Sequence, residues 1–199
     1  MLQRLFAPAA LVAILSSTAQ AATWKIDQSH SVANFKIKHM MVSNVTGTIT
    51  GVKGTVDLND ADITKSKVVA TLDAATINTA DQKRDEHLRS PDFFNVAKNP
   101  EIKFESKSVV KDGENLKING ALTLNGITKD VVLTAEAPTP AVKSPFGDQR
   151  RGISAQTKIN RKDFGIIWNK ALDGGGVVVG EDVTIQLEIE LSDNTKASH

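Results

Sequence analysis

The sequence predicts an all-β fold, a closed antiparallel barrel of about eight strands with one short helix, on three observations. Apolar residues recur at every second position in run after run, turn dipeptides separate the runs, and one interval of good helix formers interrupts them. Such alternation gives each strand one buried and one wet face, as antiparallel sheets require. Ala33, Phe35 and Ile37 alternate with Asn34, Lys36 and Lys38. The pattern returns at Val52, Gly54, Val56 and Leu58, at Ile102 and Phe104, and at Leu116, Ile118, Gly120, Leu122 and Leu124. Val131, Leu133 and Ala135 follow, then Ile153, Ala155, Thr157 and Ile159, and last the run from Val183 through Ile185 to Leu191. Asn59-Asp60, Asp112-Gly113 and Asn125-Gly126 supply the turns.

Strands of this kind must hide both their apolar faces and their edges. Closing the sheet does both, and leaves an interior able to hold one small or slender ligand. A β-sandwich is the alternative that alternation by itself does not separate from a barrel. The helix is predicted over Thr79 to Arg89, capped by Asn78 or Thr79 and stopped before Ser90-Pro91. Two loops stand out. Pro138 to Arg151 is proline-rich, and Leu172 to Gly180 carries Gly174-Gly175-Gly176, suited to a rim or flap.

At the N-terminus Arg4 precedes an apolar run from Leu5 to Leu15, and Ala19-Gln20-Ala21 has the small-x-small form of a cleavage site. The run is shorter than the ~20 residues of a membrane span. The reading is a cleaved signal over 1–21 and one mature domain over 22–199, exported to the periplasm. Lys and Arg number 24 against 23 Asp and Glu, which leaves no electrostatic footprint for nucleic acid. The absence of cysteine rules out disulfides, thiol catalysis and thiolate metal sites.

Candidate chemistry is sparse. His39 continues the inward register of Phe35 and Ile37, and serves either as a donor to a polar head group or as a satisfied strand-end histidine. His30, near Asp27 and Ser29, matches neither a metal motif nor a nucleophile elbow. His87 reads as a packing or surface residue. Lys83, Arg84 and Arg89 form a solvated helix face or a phosphate site at a barrel mouth. Phe93-Phe94 reads as a plug where the helix meets the sheet. No paired carboxylates, nucleophile constellation, metal-ligand spacing or cofactor motif stands out, so a binding module is expected rather than an enzyme.

The blocks HSVANFKIKH, KRDEHLRSPDFFNVAKNPEIKFES, GALTLNGITKDV, NRKDFGIIWN and VGEDVTIQLEIEL resemble, in order, the YceI-like family of mostly periplasmic polyisoprenoid- or lipid-binding proteins. The block from Arg84 through His87, Leu88, Ser90 and Asp92 to Phe93 and Phe94 is its most specific part. The resemblance implies a lipocalin-like extended barrel whose channel holds the tail of a long-chain isoprenoid, quinone-type or fatty-acyl lipid. The lining would come from Phe35, Ile37, Phe104, Leu122, Leu124 and Ile185, with Phe164 and Trp168 near one end and His39, Arg84, Phe93 and Phe94 at a mouth. Transient membrane contact and a homodimer are compatible with this reading. Asn99, Asn125 and Asp130 depart from the family's usual aromatic, histidine and proline, which puts a head-group role for that turn in doubt. Two other functions stay open. One is a lipid-modifying enzyme using His39 or His30, the other a stress-related structural protein with a filled core.

Overall fold

A computed structural model describes residues 21–193. The predicted signal over 1–21 lies outside the described residues except for Ala21, as does the C-terminal tail of the predicted domain.

The strands are β1 (Ala22–Ile26), β2 (Val32–His39), β3 (Ser43–Ile49), β4 (Lys53–Leu58), β5 (Lys67–Asp73), β6 (Glu101–Asp112), β7 (Asn115–Leu124), β8 (Ile127–Glu136), β9 (Val142–Lys143), β10 (Gln149–Asn160) and β11 (Val179–Ser192), with one helix, α1 (Gln82–Arg89). All pairings are antiparallel. β11 pairs along one edge with β10, from Asn160↔Asp182 to Arg150↔Ser192, and along the other with β2 and then β1. β1 and β2 are therefore two halves of one broken strand, and so are β3 and β4, which pair with them in turn. Counted this way, with the two-residue β9 set aside, eight strands close into an up-and-down barrel. The barrel reading holds and the sandwich falls away.

Three stretches escaped the two-residue count. β1 is short, β3 (SNVTGTI) has few apolar residues, and β5 carries adjacent apolar residues of which Val69 is exposed. The β7–β8 turn is as expected, with Asn125 and Gly126 at φ 50 and 75. The helix begins later than predicted. Asp81, not Asn78 or Thr79, is its cap and accepts from the Arg84 amide at 3.0 Å. Ala80 turns the chain at φ 61, and the Thr79 hydroxyl is already donated to Asp85 at 2.5 Å. Arg89 then clamps α1 to the chain before it, donating to the carbonyls of Ala75 and Ile77 at 2.8 Å each.

Lys103, Glu105, Lys117, Lys158, Asp182 and Glu188 lie exposed on the outer face, while the inner face is apolar. This is the inverse of a membrane barrel, whose outer band is apolar. No helix among the described residues is long and apolar enough to cross a membrane.

At the end remote from α1, Arg150 ties the broken strand to its neighbours. It pairs with Asp27, with Glu190 at 2.8 Å and with Asp148 at 2.7 Å. Burial alone would raise the pKa of Asp27, but hydrogen bonds from Ser29 and Arg150 outweigh it and hold the carboxyl below the usual carboxylate range. A depressed pKa stabilises fully above the unfolded value of ~3.9, and that contribution is lost as pH falls through the folded value. The Asp27→Asn variant should therefore melt below the native protein at pH 7, with the gap closing only below about pH 4. Melting curves from pH 7 to pH 2 check this, and a gap unchanged across that range would refute it.

Candidate functional site

A cavity of about 600 Å³ runs through the barrel, walled by inward side chains of the strands and, at one end, by α1 and its flanks. Phe35, Ile37, Phe104, Leu122, Leu124 and Ile185 line it from the strands. His39, Arg84, Phe93, Phe94 and Trp168 line it at the α1 end. Phe164 is the exception. At 1 % exposure it is packed with Ile77, Ile159 and Ile166 in the core beneath that end and is not part of the wall. A filled core does not describe this interior.

Two of the rings have room because glycines face them. A Cβ on Gly47 would lie 2.5 Å from Phe35, and one on Gly120 would lie 2.5 Å from Phe104. Both glycines stand on the inner face, so each ring lies against the wall instead of crossing the lumen.

The α1 end holds the polar groups. Arg84 donates from Nε to the Thr79 hydroxyl at 2.7 Å and from Nη2 to the Thr79 carbonyl at 2.8 Å. His87 is more than a surface residue. It meets Phe93 and Trp168 edge-on, with ring centroids 5.0 Å away in each case, and Nε2 is hydrogen-bonded with Asp92 at 2.8 Å. Phe93 and Trp168 are themselves 5.4 Å apart, so these rings bind α1 to the loop after β10. The SPDFF turn thus does plug this end, but around a histidine.

Sequence reasoning missed Arg161, which is 3 % exposed and lines the cavity. The signal was present, because Arg161 continues the inward register of Ile153, Ala155, Thr157 and Ile159 by one step. Its Nε donates to the Gly180 carbonyl at 2.8 Å, Nη1 to that of Ile166 at 2.6 Å, and Nη2 to that of Val179 at 3.4 Å. Burial pulls its pKa below the ordinary arginine value, partly opposed by Glu181.

Two of the three departures from the family pattern turn out to be coupled. Asn99 donates to the Asn125 side-chain oxygen at 3.1 Å, and Asn125 donates to the Phe164 carbonyl at 3.2 Å. The pair fastens the β7–β8 turn to the segment before β6 and to the turn after β10. Asp130 faces outward, paired with Lys107 at 2.5 Å.

His30 lies at the other end of the barrel. Its Nδ1 is 3.3 Å from Asp27 and 3.8 Å from Glu190, a set compact enough to suggest a cation. Arg150 already sits between those two carboxylates and neutralises them. His39 makes its backbone pairings with Ser43 and Val179 and turns its side chain to the cavity. Around this mouth Met40, Met41, Val42 (80 % exposed) and Ile167 present apolar side chains outward.

Fold and site together define a lipocalin-like barrel, a closed antiparallel meander around an apolar chamber with a polar mouth. A profile of the YceI-like domain matches residues 24–191, and the chain belongs to that family. It is 41 % identical over 153 residues to the YceI protein of Escherichia coli, covering 76 % of this chain and 80 % of that one. The crystal structure of the Campylobacter jejuni YceI protein superposes with a TM-score of 0.64 at 33 % identity, covering 78 % of this chain and 88 % of that one. A polyisoprenoid-binding domain from Saccharophagus degradans shares the fold, with a TM-score of 0.60 at 14 % identity over 86 % of this chain and 98 % of that domain.

Proposed function

We propose that the protein is a periplasmic binding and carrier protein for a polyisoprenoid, quinone-type or other long-chain lipid, and not an enzyme. The observation that carries this reading is the apolar chamber of about 600 Å³. It lies within the range of about 300–1,000 Å³ common for small-molecule sites, and its walls offer few groups that could react. The polyisoprenoid-binding domain of the same fold supports the ligand class.

At ~30 Å³ per heavy atom, the share of one water in the liquid, the chamber holds on the order of 20 heavy atoms. Burying ~20 methylenes from water contributes about 16 kcal/mol before the costs of ordering the chain. That approaches the practical ceiling on non-covalent affinity, so water is the wrong reference state. The lipid exchanges with a bilayer, where burial is nearly balanced, and a carrier needs such balance to load and unload. The apolar rim of Met40, Met41, Val42 and Ile167 suits brief contact with a membrane surface during that exchange.

The test is to produce the full chain in a bacterial host, recover it by osmotic shock, and examine it by native mass spectrometry and solvent extraction. The expected result is a protein beginning at Ala22 with a co-purified amphiphile. A barrel empty in every preparation would sink the ligand reading, and an unprocessed chain retained inside the cell would sink the periplasmic one.

A further inference from the structure

We propose that the lipid carries an anionic head, a phosphate or carboxylate, seated at the α1 end of the chamber against Arg161 and Arg84. This rests on the lipid-binding reading above and specifies the ligand's polar end.

The charges on the chamber wall are one-sided. Arg84 and Arg161 border it, Lys83 stands exposed at its rim, and Asp81 is the only carboxylate among the described residues that border it. Asp81 is itself occupied as the cap of α1. These four gather at one end, three of them at the start of α1. Arg84 lies one helical turn from His87, His87 touches Trp168, and Arg161 grips the carbonyl of Ile166 two residues before Trp168.

Arg161 is the informative member. A buried charge is costly unless it is paired. Among the described residues no carboxylate lies within ion-pair distance of its guanidinium. Glu181, whose charge it feels, is paired with Lys162. Its three bonds are to backbone carbonyls, which accept hydrogen bonds but carry no net charge. A guanidinium has five N–H donors in a planar fork, so donors remain for a bidentate anion. A structural clasp alone would explain the carbonyl bonds. It would not explain a wall otherwise apolar in which the charged positions are nearly all cationic.

The experiment holds the chain constant and varies the head. Delipidated mature protein carrying a fluorescent naphthylamine dye is titrated with palmitate, hexadecyl phosphate and hexadecanol. Both anions should displace the dye at concentrations at least tenfold lower than the alcohol. Lowering the pH until palmitate is protonated should erase its advantage, while hexadecyl phosphate, still singly charged, keeps its own. Arg84→Gln and Arg161→Lys should each shrink the preference. Because Arg161 also holds backbone carbonyls, its replacement can unfold the loop, and the ligand series on the unmodified protein decides the matter without it. Equal displacement by acid and alcohol would overturn the anionic head and leave lipid binding intact. Failure of all three to displace the dye would instead overturn the lipid-binding reading.

Discussion

Replacing Ala155 with Trp is expected to abolish lipid retention while leaving the barrel folded. Ala155 points into the chamber from β10, between its register partners Leu187 on β11 and Ala135 on β8. An indole has about nine ring atoms, close to half of the ~20 that the lumen accommodates. In a packed core such an insertion would force neighbours off their rotamers at a cost of about 1–3 kcal/mol. Here the ring enters existing space and meets apolar walls, so the melting temperature should stay within a few degrees of the native value. Affinity for a long-chain ligand should fall at least a hundredfold, or about 2.7 kcal/mol. The control is Gln156→Trp, one residue along on the exposed outer face, which should bind as the native protein does. Dye displacement and extraction of co-purified lipid measure the effect. Undiminished retention by the Ala155 variant would show that the ligand lies elsewhere.

The same position shows how much of the molecule was legible in its sequence. Period-two alternation placed Ala155 inward together with its strand, and the strands that alternate cleanly were all found. Alternation fails where an apolar residue faces water or where the inward residue is small, which is why β5, with exposed Val69 between Val68 and Ala70, and β3, with Gly47 inward, escaped it. The apolar wall follows from register, so Phe35, Phe104 and Leu122 could be named in advance. The polar mouth does not, because it is assembled from chain segments far apart in sequence. His87 meets Trp168 across 81 positions, and no local pattern reports such a pairing. Arg161 could have been found from register alone, had an arginine been admitted at an inward position. Phe164 was misplaced because the 3-10 turn at Arg161–Phe164 directs its ring below the chamber into the core.

Gly54→Ala should be the most damaging single-methyl change in the sheet. By alternation Gly54 stands with Val52 and Val56 as one more inward residue, and its glycine looks incidental. The structure gives a reason for it. Gly54 has φ 144, and a Cβ there would lie 2.0 Å from the Val69 carbonyl oxygen and 2.8 Å from the Ala70 Cα. These are backbone atoms of β5, paired to β4 through Gly54↔Ala70, and cannot swing aside as a side chain could. Relief requires the two strands to part at a point where the ladder closes the barrel. A destabilisation on the order of 3 kcal/mol is expected from such backbone strain. For a domain of this size that lowers the melting temperature by about 6–12 °C. Gly113→Ala separates the two possible causes. Gly113 also has a positive φ, 63, but nothing lies within 4 Å of its would-be Cβ, so only the conformational cost of about 1 kcal/mol applies. If the two variants melted together, the close approach of β4 to β5 would not be what requires glycine at 54.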